Sequence, residues 1–137
     1  MSNSAKAVIA LDVGTKRVGV AWADGTLRMP FPLITLTNDT KVFQKINALY
    51  HDQFASQVVV GLPRNQQGEE TAQSTYAREF AKKLEKYNLP IAFQDESLTS
   101  VLAERELKER GKPYAKEDID SLAATFILQD FLEEHKL

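Results

Sequence analysis

The sequence predicts an α/β fold, with a mixed five-stranded sheet (a three-strand antiparallel meander plus parallel strands) covered by helices on both faces. Three observations predict it. The first part of the chain holds successive β-rich runs separated only by short breaks, as a meander requires. Later apolar runs alternate with stretches of helical periodicity, which implies parallel strands joined by crossover helices. Val58, Val59 and Val60 are apolar without alternation, as suits a strand buried on both faces.

The elements follow in order. Val8–Asp12 is a short apolar run ending in an acid. Gly14-Thr15-Lys16-Arg17 breaks it before Val18–Ala23, so the two runs read as a hairpin. Pro30 and Pro32 mark a loop, and Leu33–Leu36 is the third strand. Asn38 or Asp39 can cap a helix carrying Val42, Phe43, Ile46, Leu49 and Tyr50 at helical spacing. Val58–Val60 stops at Gly61-Leu62-Pro63, and Arg64–Glu70 is a polar loop around Gly68. A helix from about Thr71 to Tyr87 places Ala77, Phe80, Ala81 and Leu84 on one side. Pro90–Gln94 is a strand that runs into Asp95-Glu96. Thr99 can cap a helix through Arg110, closed by Gly111 with Pro113 beyond. Asp118 begins the last helix, whose apolar side holds Ile119, Leu122, Ala123, Phe126, Ile127 and Phe131. No repeat, linker or low-complexity segment interrupts this order, so residues 1–137 form a single domain.

Composition narrows the function classes. The 137 residues are 43% hydrophobic and 26% charged, which suits one globular domain with one core. There are no cysteines, which excludes disulfides and thiolate metal sites and points to a reducing compartment. Met-Ser-Asn-Ser-Ala-Lys leads directly into a strand without a signal-peptide profile. Apolar runs such as Ala7–Leu11 fall far short of the roughly 20 residues of a membrane span, so the expectation is a cytoplasmic protein with no membrane partner. The net charge of −2 advertises no polyanion ligand, although clustered carboxylates at a metal site would lower the total by themselves.

The chemistry is expected beyond the carboxyl ends of the strands, where open α/β sheets bind their ligands. Asp12 and the Asp95-Glu96 pair end two strands, and the last helix adds Asp118 and Asp120. Carboxylates converging there would repel one another without a cation. Mg²⁺ or Mn²⁺, hard ions that prefer oxygen, relieve that repulsion and leave positions open for water and phosphate. A chain with two histidines and no cysteine is poorly supplied for zinc. The logic is that of two-metal phosphodiester hydrolysis: one ion activates water, the other steadies the leaving oxygen, and the two lie about 4 Å apart. Each acid also has an ordinary explanation. Asp12 suits a strand-to-loop turn, while Glu96 and Asp120 suit the N-terminal ends of helices. Only their joint pattern lifts them above that background.

Basic residues form further candidates. In the Gly14–Arg17 turn, glycine allows close backbone approach, and Thr15, Lys16 and Arg17 can hold phosphate oxygens; the alternative is a hairpin tip in solvent. Gly61-Leu62-Pro63 can form a shelf followed by Arg64 and Asn65, which could touch a phosphate backbone. Arg78, Lys82, Lys83 and Lys86 share one helix face, and Arg105, Lys108, Arg110 and Lys112 another. Both are interleaved with glutamates and read first as solvated faces. His51 and His135 carry no assigned chemistry.

Four ordered blocks resemble one family, the YqgF (also called RuvX) nucleases. The first is Leu11-Asp12-Val13-Gly14-Thr15-Lys16-Arg17-Val18-Gly19-Val20-Ala21, and the second Val59-Val60-Gly61-Leu62-Pro63. The third is Asp95-Glu96-Ser97-Leu98-Thr99-Ser100, and the last Asp120-Ser121-Leu122-Ala123-Ala124 with Ile127-Leu128. The resemblance implies a ribonuclease H-like fold and a metal-dependent nuclease in which Asp12, Glu96 and Asp120 are the catalytic, metal-binding acids. It implies as substrate the 5′ end of precursor 16S ribosomal RNA, since the family is associated with its maturation. Four-way DNA junctions are the alternative, because the fold is shared with resolvases. Many relatives carry arginine where this chain has Ser97, and serine lacks the bidentate cationic fork.

Resolvase action on branched DNA needs paired cuts and normally a homodimer; the sequence leaves monomer and homodimer both open. A non-catalytic nucleic-acid-binding module would be expected to have lost its acids, and here all three are present. An actin- or sugar-kinase-like phosphotransferase shares Asp12-x-Gly14-Thr15, but it needs two such domains to enclose ATP.

Overall fold

The computed structural model describes residues 7–96 and 99–135. The first part of the chain forms β1 (Ala7–Val13), β2 (Arg17–Ala23) and β3 (Pro30–Thr37). Then come α1 (Val42–Asp52), β4 (Ala55–Pro63) and α2 (Ala72–Leu84), which ends in a 3-10 turn, Glu85–Tyr87. β5 (Ile91–Glu96), α3 (Thr99–Glu109) and α4 (Lys116–Glu134) complete the order, which is the predicted one. The sheet runs β3-β2-β1-β4-β5. β1, β2 and β3 pair antiparallel, and β4 and β5 continue parallel to β1.

Strand alternation sorts the side chains onto two faces. Ile9, Leu11, Val18, Val20, Val58, Val60 and Leu62 pack with Val42 and Ile46 of α1 and with Ala77, Phe80 and Leu84 of α2. The opposite face presents Ala10, Ala21, Ala23 and Val59 to Ala124, Ile127, Leu128 and Phe131 of α4. The outer side of α4 is covered in turn by Ala103 and Leu107 of α3, which meet Leu122 and Ala123. A helix enclosed on two sides needs apolar residues nearly all round, which explains the Leu-Ala-Ala-Thr-Phe-Ile-Leu run at its centre.

The small residues on this second face decide how closely α4 approaches. A Cβ on Gly19 would lie 2.0 Å from the carbonyl oxygen of Asp120, so α4 rests its backbone directly on β2 there. A Cβ on Gly61 would lie 2.5 Å from Cδ1 of Ile127. Both glycines serve close approach; neither has a positive φ.

Several local expectations are corrected. Pro30 and Pro32 lie inside β3, not in a loop before it, and the strand extends to Thr37. β3 is an edge strand, where a missing N–H is tolerated, and the register with β2 shifts between Val20 and Ala21, where Pro32 is accommodated. Neither Asn38 nor Asp39 is the residue immediately before α1, which starts at Val42. Asp39 instead shapes the approach, accepting from the N–H of Lys41 (3.0 Å) through its side chain and from the N–H of Val42 (3.2 Å) through its carbonyl. Asn38 is drawn away toward the Gly14–Arg17 turn. The helix expected from about Thr71 is α2, and Thr71 caps it, accepting from the N–H of Gln73, while Ser74 Oγ accepts from the N–H of Thr71. Gly111, at φ 71°, closes α3 in the left-handed conformation glycine favours. Asp118 sits inside the first turn of α4 and reaches back to the N–H of Ala115 (2.8 Å).

Among the described residues no helix is long and apolar enough to cross a membrane.

Candidate active site

Register and alternation bring the three predicted acids to one face. Asp12 follows Ala10 by two residues on β1, so it shares the face of Ala10 under α4. Its cross-strand partner is Gly19, the residue on which the backbone of Asp120 rests. On β5, Ala92 packs toward α4, and Glu96 lies four residues on, on the same side. Glu96 therefore lies on the α4 side of the sheet, while its neighbour Asp95 points the other way. The third acid, Asp120, arrives from the first turns of α4, close enough to Asp12 for its charge to act there.

Asp12 lies close enough to Glu96 and to Asp120 for both charges to act on it. Burial at the centre of the sheet pushes the Asp12 carboxyl up to about 7, and the nearby charges of Glu96 and Asp120 add to the rise. Glu96 is also raised, chiefly by burial, with a smaller contribution from Asp130 on α4. Two bonds from Thr99 pull Glu96 in the opposite direction: its hydroxyl donates to Oε2 at 2.5 Å, and its backbone N–H bonds the carboxylate as well. Thr99 thus begins α3 while orienting an acid. Its position three residues beyond Glu96, at a helix start, is the signal in the sequence from which that contact can be read.

Asp120 is held differently. Arg17 Nε donates to its Oδ2 at 2.5 Å, and the pair is partly exposed, at 30% and 18% for the two side chains. Asp120 in turn keeps the Arg17 guanidinium more firmly protonated than usual. Among the described residues no three acidic or histidine side chains stand ready to hold a metal ion together. Asp120, one of the three acids, is paired with Arg17 instead.

The turn that carries Arg17 is fixed from both ends. The N–H of Gly14 donates to the carbonyl of Arg17 (2.9 Å), closing the turn. The backbone N–H of Asn38 donates to the carbonyl of Lys16 (2.9 Å), and its side-chain amide donates to the carbonyl of Gly14 and to the Tyr76 hydroxyl, both at 2.8 Å. Thr15 and Lys16 stand exposed at the tip. Asn38 is a site residue that the sequence presents only as a helix-cap candidate, because its partners lie on β1 and α2.

Arg64 and Asn65 are placed elsewhere. Arg64 donates to Asp95 Oδ1 through Nε (3.1 Å) and Nη2 (2.9 Å) and lies 3.6 Å from Glu70. Glu70 also accepts two bonds from Arg78, whose guanidinium lies over the Phe93 ring. Asn65 folds its own loop, accepting from the N–H groups of Gln67 and Glu69. These residues build the β4–α2 connection, on the side toward which Asp95 points. Ser97 lies outside the described residues.

A family model described as "RuvX: Holliday junction resolvase" matches residues 6–134. A protein of Sulfurihydrogenibium named "Putative pre-16S rRNA nuclease" is 43% identical over 129 residues, covering 92% of this chain and 89% of that protein. A Leuconostoc citreum protein of the same name is 39% identical over 134 residues, covering 92% and 94%. Among solved structures, Thermus thermophilus RuvC in complex with a Holliday junction substrate aligns with a TM-score of 0.56 at 15% identity, over 93% of this chain and 95% of that one. That likeness shows the fold, which is ribonuclease H-like as the sequence blocks imply. With four ordered sequence blocks, a family model spanning nearly all of the chain and relatives at about this identity, the chain belongs to the RuvX family.

Proposed function

We propose that this protein is a divalent-metal-dependent endonuclease of the cytoplasm that trims the 5′ end of precursor 16S ribosomal RNA. Asp12, Glu96 and Asp120 are its catalytic, metal-holding acids. The observation that carries the reading is the convergence of these side chains, from β1, β5 and α4, on one face beneath α4. Burial raises the Asp12 carboxyl to about 7, and Asp120 is paired with Arg17. An all-oxygen donor set of this kind fits Mg²⁺ or Mn²⁺ in chemistry. Bound there, the ions would lower the pKa of an attacking water and neutralise charge on the scissile phosphate.

The chain's own residues do the rest. Thr99 fixes the orientation of Glu96 through two hydrogen bonds. Burial and the neighbouring acids disfavour the Asp12 carboxylate, so a bound cation would favour its ionised form. Thr15 and Lys16 would meet the phosphates flanking the cut; their exposure at the tip of the turn supports this. Precursor rRNA is chosen as substrate because the relatives that match most of this chain carry that name.

The test is cleavage of a precursor 16S transcript with Mg²⁺ by the parent protein and by Asp12→Asn, Glu96→Gln and Asp120→Asn. Each variant should lose at least about a hundredfold in rate, the scale on which a metal-bound nucleophile contributes. A variant that cuts as fast as the parent removes its residue from the mechanism. The second reading, resolution of four-way junctions, is supported by the description of the matching family model. A junction substrate in the same assay decides between them, since resolution requires paired nicks and a dimer.

A further inference from the structure

We propose that Arg17 is a positioning residue that couples substrate to metal, guarding Asp120 until a substrate phosphate draws the guanidinium away. The inference rests on the reading of Asp12, Glu96 and Asp120 as metal acids.

Geometry and charge carry the argument. Arg17 contacts Asp120 through Nε, and among the described residues its terminal nitrogens Nη1 and Nη2 have no acceptor. A guanidinium offers five donors in a planar fork suited to phosphate, so the contact with Asp120 leaves most of that capacity unused. The side chain is 30% exposed, at the rim of the site and next to the exposed Thr15 and Lys16. The backbone beneath it does not share this freedom. Gly14 N–H to Arg17 carbonyl, Asn38 N–H to Lys16 carbonyl and Asn38 amide to Gly14 carbonyl hold the turn in place. What can move is therefore the Arg17 side chain alone, swinging from one anion to another at nearly constant charge.

The exchange is balanced. In the resting protein Asp120 neutralises Arg17. In the working complex a phosphate oxygen neutralises Arg17, and the freed Asp120 carboxylate joins Asp12 and Glu96 around the cation. Substrate and metal then bind cooperatively, and by linkage each must strengthen the other by the same factor. A guard of this kind also spares the protein a cluster of unpaired carboxylates when no substrate is present, since Arg17 neutralises one of them.

The experiment is Mn²⁺ binding followed by electron paramagnetic resonance of the free ion. It compares the parent, Arg17→Gln and Arg17→Lys, each with and without a short oligonucleotide with N3′→P5′ phosphoramidate linkages, which keep the phosphate charge but lack the 3′ leaving oxygen. Without the oligonucleotide, Arg17→Gln should bind Mn²⁺ roughly tenfold more tightly than the parent, a typical size for site-to-site coupling. Arg17→Lys keeps the charge and should stay close to the parent. Adding the oligonucleotide should tighten Mn²⁺ on the parent by a similar factor and leave Arg17→Gln unchanged. Equal Mn²⁺ affinity in parent and Arg17→Gln, together with loss of binding in Asp120→Asn, overturns the coupling and leaves the metal reading intact. Parent, Arg17→Gln and Asp12→Asn all failing to bind Mn²⁺ overturns both.

Discussion

Asp12 carries a conflict that can be measured without substrate. Its carboxyl ionises near 4 in an unfolded chain and near 7 in the folded one. Between those values the folded protein holds a proton that the unfolded chain has released. Stability of the metal-free protein therefore falls as pH rises from about 4 to about 7, and levels off above it. The difference corresponds to roughly 2–4 kcal/mol. Asp12→Asn removes this dependence, so its advantage over the parent should be small near pH 4 and largest at pH 8, where chelated protein is compared by urea melts. A variant no more stable at pH 8 than the parent would show that the site accommodates the charge on its own. The acid itself was legible in the sequence as the end of an apolar strand. Its shifted ionisation was not, since that depends on β2, β4 and α4 closing around it.

At the scale of elements, the seating of α4 on the sheet sets where Asp120 arrives. Gly19→Ala would drive a methyl into the backbone of Asp120 and Ser121, at 2.0 Å from the Asp120 oxygen and 2.9 Å from the Ser121 nitrogen, where nothing can yield locally. The expected cost is about 3 kcal/mol, at the upper end for overpacking, with loss of activity as α4 is lifted. Gly61→Ala meets instead the tip of one side chain, Ile127 Cδ1 at 2.5 Å, and should cost about 1–2 kcal/mol. Ile127→Val deletes that atom, so the double variant should be about 1 kcal/mol more stable than the sum of the single changes predicts. Additive thermal melts would contradict this seating. The elements themselves were readable from periodicity and turn residues: five strands and four helices appear in the predicted order. The extent of β3 was not. Pro30 and Pro32 signal a break by local rules, and only the position of β3 at the sheet edge lets them remain in the strand. Asn38 has the same lesson. Its cap chemistry is local, but its partners, Gly14 and Tyr76, are brought to it by the fold.

For the whole molecule, the order β3-β2-β1-β4-β5 places β1 at the centre, between the hairpin and the crossover strands. The C-terminal ends of β1 and β5 and the start of α4 consequently meet above one side of the sheet. This architecture followed from the alternation of elements, and so did the choice of strand ends as the place for chemistry. The pairing of Arg17 with Asp120, 103 residues apart, had no local signature at all. Overall charge is −2, so nucleic-acid affinity must come from a local patch, and Arg64 and Arg78 are already paired with acids. With Lys16 and Arg17 as the phosphate contacts, single-stranded RNA should bind with a log–log salt slope of about −1.4, or about a sevenfold loss between about 50 and 200 mM salt. Lys16→Gln should halve the slope. A much steeper slope would point to a wider basic face, such as that of α2 or α3. Anomalous diffraction from crystals of the protein with Mn²⁺ and an uncleavable oligonucleotide would show whether three acids from β1, β5 and α4 hold cations together. Manganese peaks should be bounded by the carboxylates of Asp12, Glu96 and Asp120, with Arg17 turned onto phosphate. Manganese absent from that site, with Arg17 still bonded to Asp120, would overturn this reading of the acids.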